Sequence, residues 1–132
     1  METRQPKILI VEDDPVLRSV GKRQLAALGF ADVIVADTGE AALELVDDQR
    51  PSLILMDVGL PGIDGNQTTA AIRETEEQLH LARATIIALT ANSDREKCFD
   101  AGMDDYLLKP ALLADLQRIL IKWLGDQAVC SS

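Results

Sequence analysis

At 132 residues, with no Pro/Gly/Ser-rich tract to divide it, the chain has the size of one domain. Its formal charge of -9, from 13 basic and 22 acidic residues, argues against direct binding to nucleic acid or to an anionic membrane surface. Cys98 and Cys130 lie far apart without CxxC or Cys/His spacing, METRQPK lacks the apolar core of a leader, and no apolar run approaches the roughly 20 residues of a membrane span; a cytoplasmic chain with reduced thiols is expected.

Residues 1–6 read as an N-terminal tail, and the organised domain as residues 7–124. The first strand is Ile8–Val11, running into Glu12, Asp13 and Asp14 before Pro15. Asp14 followed by proline is an N-cap signature. The helix it opens carries Leu17, Val20, Leu25 and Leu28 on one stripe and can end at Gly29. Val33–Ala36 is the second strand and Leu53–Met56 the third, with Asp57 at its end. A turn-rich loop, VGLPGIDG, leads to a helix from Asn66 to about Leu79, whose end is indistinct in the polar stretch to Arg83. Ile86–Leu89 is the fourth strand, followed by Thr90. Ser93 and Glu96 have capping-box spacing for the fourth helix, which Gly102 can close. Tyr106–Leu108 is a short fifth strand followed by Lys109-Pro110. Leu113, Leu116, Leu120 and Trp123 form the stripe of the last helix, ended by Gly125. Residues 125–132, short and polar, read as a tail or linker.

Only 3% of residues are aromatic, so the core must be aliphatic. Strands that are continuously apolar, rather than alternating, are those of a parallel sheet covered on both faces. Five β-α units cannot close an eight-stranded barrel. The expected fold is therefore α/β, a doubly wound five-stranded parallel sheet of order 2-1-3-4-5 with right-handed crossovers. In such a sheet the site lies beyond the carboxyl ends of the strands.

Those ends carry Glu12 and Asp13, Asp57, Thr90, and Lys109. An anion site would place a Gly-rich loop after the first strand; carboxylates there suit a cation instead. Carboxylates, a backbone carbonyl and water are the ligands that Mg²⁺ prefers. A phosphoryl group could then bridge the metal, the Lys109 ammonium and the Thr90 hydroxyl while a carboxylate oxygen of Asp57 attacks phosphorus. Each residue alone also has an ordinary reading. The acids could be a solvated helix start, Asp57 a strand end before a turn, Thr90 a helix start and Lys109 a surface lysine. The joint occurrence at four strand ends favours one reaction.

VEDDP at 11–15, LMDVGLPGIDG at 55–65, ALTA at 88–91 and AGMDDYLLKP at 101–110 resemble the receiver domain of bacterial two-component response regulators, from about Lys7 to Leu124. The resemblance implies a flavodoxin-like (βα)5 sandwich in which Asp57 accepts a phosphoryl group from a histidine kinase or a histidine phosphotransfer domain. It implies Mg²⁺ held by Asp13, Asp57 and the Gly59 carbonyl, with Glu12 acting through water. It makes Thr90 and Lys109 the holders of phosphoryl oxygens, Lys109-Pro110 a cis bond, and Tyr106 an aromatic switch that turns inward when Thr90 moves. Such a domain catalyses its own phosphorylation and dephosphorylation but acts mainly as a switch. Its output face is the fourth helix, fifth strand and fifth helix, and it is a monomer or a phosphorylation-dependent dimer. Glu12 stands where aspartate is commoner. Gly59 and Asn92, two residues beyond Asp57 and Thr90, occupy positions that influence how water attacks the acyl phosphate. ALTAN and AGMDDYLLKP look more like receivers of hybrid histidine kinases than like those fused to DNA-binding domains; in a hybrid kinase the domain would lie on the cytoplasmic side of the membrane.

Two other functions compete. An Mg²⁺-dependent phosphohydrolase working through an aspartyl-phosphate would need a second acid two residues after its nucleophile, where this chain has Gly59. A degenerate receiver serving only as a scaffold would have lost Asp57, Thr90 or Lys109, and all three are present.

Overall fold

The computed structural model describes residues 6–60, 62–91 and 95–125. Asn92, Ser93 and Cys130, and most of both expected tails, lie outside the described residues. Ten elements alternate: β1 (Ile8–Val11), α1 (Pro15–Ala27), β2 (Val33–Ala36), α2 (Gly39–Gln49), β3 (Leu53–Asp57), α3 (Gly65–Leu79), β4 (Thr85–Thr90), α4 (Arg95–Ala101), β5 (Asp105–Leu108) and α5 (Leu113–Leu124). The strands form one parallel sheet in the order β2-β1-β3-β4-β5. That is the expected doubly wound order.

Alternation along each strand feeds two cores. Ile8, Ile10, Leu53, Leu55 and Ile87 face one way and pack with Leu25 and Leu28 near the end of α1 and Leu116 and Leu120 of α5. Leu9, Ile54, Met56, Ile86 and Ala88 face the other way, toward Ala42 of α2, Ile72 of α3 and Cys98 of α4. β1 and β3 are buried along their whole length, as central parallel strands must be. β3 continues one residue past Met56 to include Asp57, and β4 is a residue longer than expected at each end.

Local chemistry sets the helix ends. Asp14 Oδ1 accepts from the N–H groups of Val16 (2.8 Å) and Leu17 (3.3 Å), the expected cap. Asp64 and Gln67 form a reciprocal capping box at α3, which starts at Gly65, one residue before the expected Asn66. Gly29, Gly102 and Gly125 all have positive φ at helix ends, where their lack of Cβ removes the penalty. α2 and α3 instead end on Arg50 and His80 in the left-handed region. At the α1 stripe the structure corrects a detail. Leu25 and Leu28 are buried, but Leu17 and Val20, in the first turns, stay substantially exposed, on the wall of a groove that Leu55, Leu89 and Leu116 also line.

Candidate functional site

β1 delivers Glu12 to the carboxyl edge of the sheet, where its N–H continues the ladder to the Ala36 carbonyl at 3.0 Å. Its carboxylate is turned inward and is only 3% exposed. Oε2 accepts from the Asp14 N–H at 3.2 Å, and Arg18 Nη1 reaches back from α1 to donate to the Glu12 carbonyl at 3.0 Å. These bonds fix the acidic loop from both chain directions. Asp13, between two anchored neighbours, is exposed.

β3 ends with Asp57, 4% exposed, whose Oδ1 accepts from the Gly59 N–H at 3.0 Å. The following backbone is pinned by Val58 N–H to the Leu89 carbonyl and Gly65 N–H to the Val58 carbonyl. Thr90, at the end of β4, is buried beside it, and its carbonyl accepts from the Lys109 N–H at 2.8 Å. The Lys109-Pro110 bond is cis, as expected. Lys109 Nζ lies 2.9 Å from Glu12 Oε1 and 3.0 Å from Asp57 Oδ1.

The electrostatics follow from this geometry. Burial pushes the Glu12 carboxyl above its ordinary value, opposed by Lys109 and the Asp14 N–H and reinforced by neighbouring Asp57. Burial alone would lower Lys109, yet its hydrogen bonds to Glu12 and Asp57 carry it above the usual lysine value. The ammonium therefore holds together two carboxylates that would otherwise repel.

A cleft of about 400 Å³ opens over this group, lined by Glu12, Asp13, Asp57, Gly59, Thr90 and Lys109 among others. One carboxylate oxygen each from Glu12, Asp13 and Asp57 lies within 4.8 Å of the others. An all-oxygen set beside open solvent suits a small hard cation that keeps water ligands, so Mg²⁺ fits the residues present. A Cβ at Gly59 would stand 3.8 Å from Asp57 Oδ1, an ordinary contact, so that position faces the cleft with room to spare. Tyr106 is not in the cleft. It is half-buried on β5, packed against the core on the α2–α3–α4 side.

No sequence pattern points to Arg18. Gln24 had a faint signal, a polar residue at helical spacing from Leu17, Val20 and Leu28 on the apolar stripe. It donates from Nε2 to the Ala111 carbonyl at 2.8 Å, across to the loop that bears Lys109.

Residues 8–121 match the family model described as response regulator receiver domain. The chain is 37% identical over 128 residues to the sensor histidine kinase GacS of Pseudomonas protegens, covering 95% of this chain but 14% of that protein; it corresponds to a small part of such relatives. It is similar to the crystallised receiver domain of sensor histidine kinase PA1611 from Pseudomonas aeruginosa, a structure with magnesium coordinated in its active-site cleft. The identity is 44% and the TM-score 0.81, over 93% of this chain and 100% of that one. It also matches, at 28% identity and TM-score 0.85, a chain of the co-crystal of the Saccharomyces cerevisiae histidine phosphotransfer protein Ypd1 with the receiver domain of its downstream response regulator Ssk1, covering 98% and 97% of the two chains.

Proposed function

Because the chain belongs to the response regulator receiver domain family, we propose that it accepts a phosphoryl group on Asp57 from a phosphohistidine in two-component or phosphorelay signalling. The observation that carries this is the meeting of Glu12, Asp13, Asp57, Thr90 and Lys109, from separate strand ends, around one cleft.

In the reaction a carboxylate oxygen of Asp57 forms a bond to phosphorus while the P–N bond to the donor imidazole breaks, and its electron pair returns to the ring nitrogen. Gly59 N–H and Lys109 orient Asp57 beforehand. Lys109 and the Thr90 hydroxyl hold phosphoryl oxygens as charge moves onto the acceptor. Asp13, Asp57 and the Gly59 carbonyl would hold Mg²⁺, with Glu12 acting through water, and the ion would supply neutralisation of phosphoryl charge. The 44% identical PA1611 receiver, with magnesium in its cleft, supports that assignment. Thr90 moving toward the phosphoryl group and Tyr106 turning inward carry the change to the face of α4, β5 and α5.

The donor is a histidine kinase or a histidine phosphotransfer domain, a reading supported by the Ypd1 co-crystal. Val16, Leu17 and Val20 of α1 expose apolar surface beside the cleft, where such a protein must approach. Among the described residues no helix is long and apolar enough to cross a membrane.

The competing phosphohydrolase differs in turnover. Incubated with acetyl phosphate and Mg²⁺, the protein should gain at most one phosphoryl group per chain, and it should not turn over p-nitrophenyl phosphate. Sustained release of nitrophenol with no phosphoryl mass on the chain would overturn the receiver reading.

A further inference from the structure

Lys109 performs two opposed tasks. In the resting site its ammonium bridges Glu12 Oε1 and Asp57 Oδ1, oxygens that a divalent cation would also seek. During transfer it must stay beside Asp57 to meet the phosphoryl group. A lysine stem has four rotatable carbons, so where its ammonium rests depends on how firmly its backbone is held.

That backbone lies in the short connection between β5 and α5. On one side the Lys109 N–H is bonded to the Thr90 carbonyl at 2.8 Å. On the other side α5 begins at Leu113 with no side-chain cap at Leu112, whose carbonyl takes the first helical bond from the Leu116 N–H at 2.9 Å, and a further tie holds Ala111 between these points. The tie comes from 87 positions earlier in the chain: Gln24 Nε2 of α1 donates to the Ala111 carbonyl at 2.8 Å. It does so across an apolar groove of about 330 Å³, lined by Val20, Leu55, Leu89 and Leu116 among others. The bond is partly buried, and the apolar lining shields it from some of the water that would compete for it in solvent.

We propose that Gln24 is a positioning residue for Lys109, tying the β5–α5 loop to α1 so that the ammonium stays over Asp57 during phosphoryl transfer. The proposal rests on Asp57 being the phosphoacceptor. Gln24 touches neither the cleft nor the reacting atoms and acts through Ala111. It is uncharged, so its removal leaves the field at the acids unchanged.

Releasing the loop has different effects on the two tasks. Transfer slows, because misplacing a catalytic group by about 1 Å can cost up to roughly 100-fold, and a loosened loop should lose a part of that. Cation binding does not weaken, because a mobile Lys109 competes less for Glu12 and Asp57. General damage to the site would instead slow transfer and weaken Mg²⁺ together.

The test uses Gln24→Met, of similar length without the donor, and Gln24→Leu, which also lacks it; both are uncharged, as Gln24 is. The initial rate of phosphorylation by acetyl phosphate is measured at saturating Mg²⁺; there the new Asp57 O–P bond replaces the P–O bond to departing acetate. The Mg²⁺ dissociation constant is measured by titration calorimetry. Both variants should react roughly five- to tenfold more slowly while binding Mg²⁺ within twofold of wild type or more tightly. Wild-type rates in a folded variant, or Mg²⁺ binding weakened in step with the rate, would overturn the proposal. If wild type itself gained no phosphoryl group, the phosphoacceptor reading would fall instead.

Discussion

Asp105, at the start of β5, carries in one carboxylate the balance of forces seen at the cleft. Its Oδ2 accepts from the Trp123 indole N–H and from Lys122 Nζ, each at 2.9 Å, joining β5 to the end of α5. Burial alone would raise its pKa, but Trp123, Lys122 and the Tyr106 N–H bring it below the ordinary value of 3.8. A depressed folded-state pKa means that the stabilisation is complete above the unfolded value and fades as pH falls through the folded one. Asp105→Asn should therefore cost about 1–2 kcal/mol at pH 7. Urea unfolding should show that gap shrinking below pH 3.8; a gap that is constant or widens in acid would contradict the assignment. Residue identities at the cleft were legible because each acid, Thr90 and Lys109 sits at or just beyond the end of a strand. The ionic partners were not. The three acids look repulsive in sequence, and only folding shows Lys109 Nζ between two of them. The bonds of Arg18 to the Glu12 carbonyl and of Trp123 to Asp105 run through polar atoms, which leave no periodic signature.

Among the elements, the β3–α3 connection is the tightest near the site. A Cβ on Gly65 would strike the Asp57 carbonyl oxygen and come within 2.9 Å of Val58 Cα. Both are backbone, so relief requires moving the strand end that presents Asp57. Gly65→Ala should be destabilised by roughly 1–3 kcal/mol, read as a lower urea midpoint at unchanged slope. Gly59→Ala, with only Asp57 Oδ1 nearby at 3.8 Å, should stay within about 0.5 kcal/mol of wild type. Equal losses for both would refute this view of the turn. The strands were legible from continuous apolar runs, and α1 from Asp14-Pro15. α3 ends at the expected Leu79, but nothing in the sequence signals the stop, because His80 takes the left-handed position that glycine usually marks. Nor was the exposure of Leu17 and Val20 legible, because a helical stripe does not tell how closely neighbouring elements pack against it.

At the scale of the molecule, the sheet order followed from five β-α units and the handedness of their crossovers. Long-range polar ties had no comparable rule. Arg73 of α3 bonds the carbonyls of Gly102 and Ala84 and pairs with Glu76 and Asp104, bracing the α4–β5 turn from below. Gln24 braces the β5–α5 loop from α1. Apart from the Arg73–Glu76 pair within α3, these contacts join different elements of the chain, and the apolar spacing around Gln24 is the one faint sign of them in the sequence. The fold brings Asp57, its acidic neighbours and Lys109 to a single sheet edge, and the proposed function makes Asp57 the acceptor and the acids a cation site. The direct test of that claim is the intact mass of wild type and Asp57→Asn after exposure to acetyl phosphate, with and without Mg²⁺. Wild type should gain one phosphoryl group only when Mg²⁺ is present, and Asp57→Asn should gain none. No gain in wild type, or an equal gain in Asp57→Asn, would contradict the account.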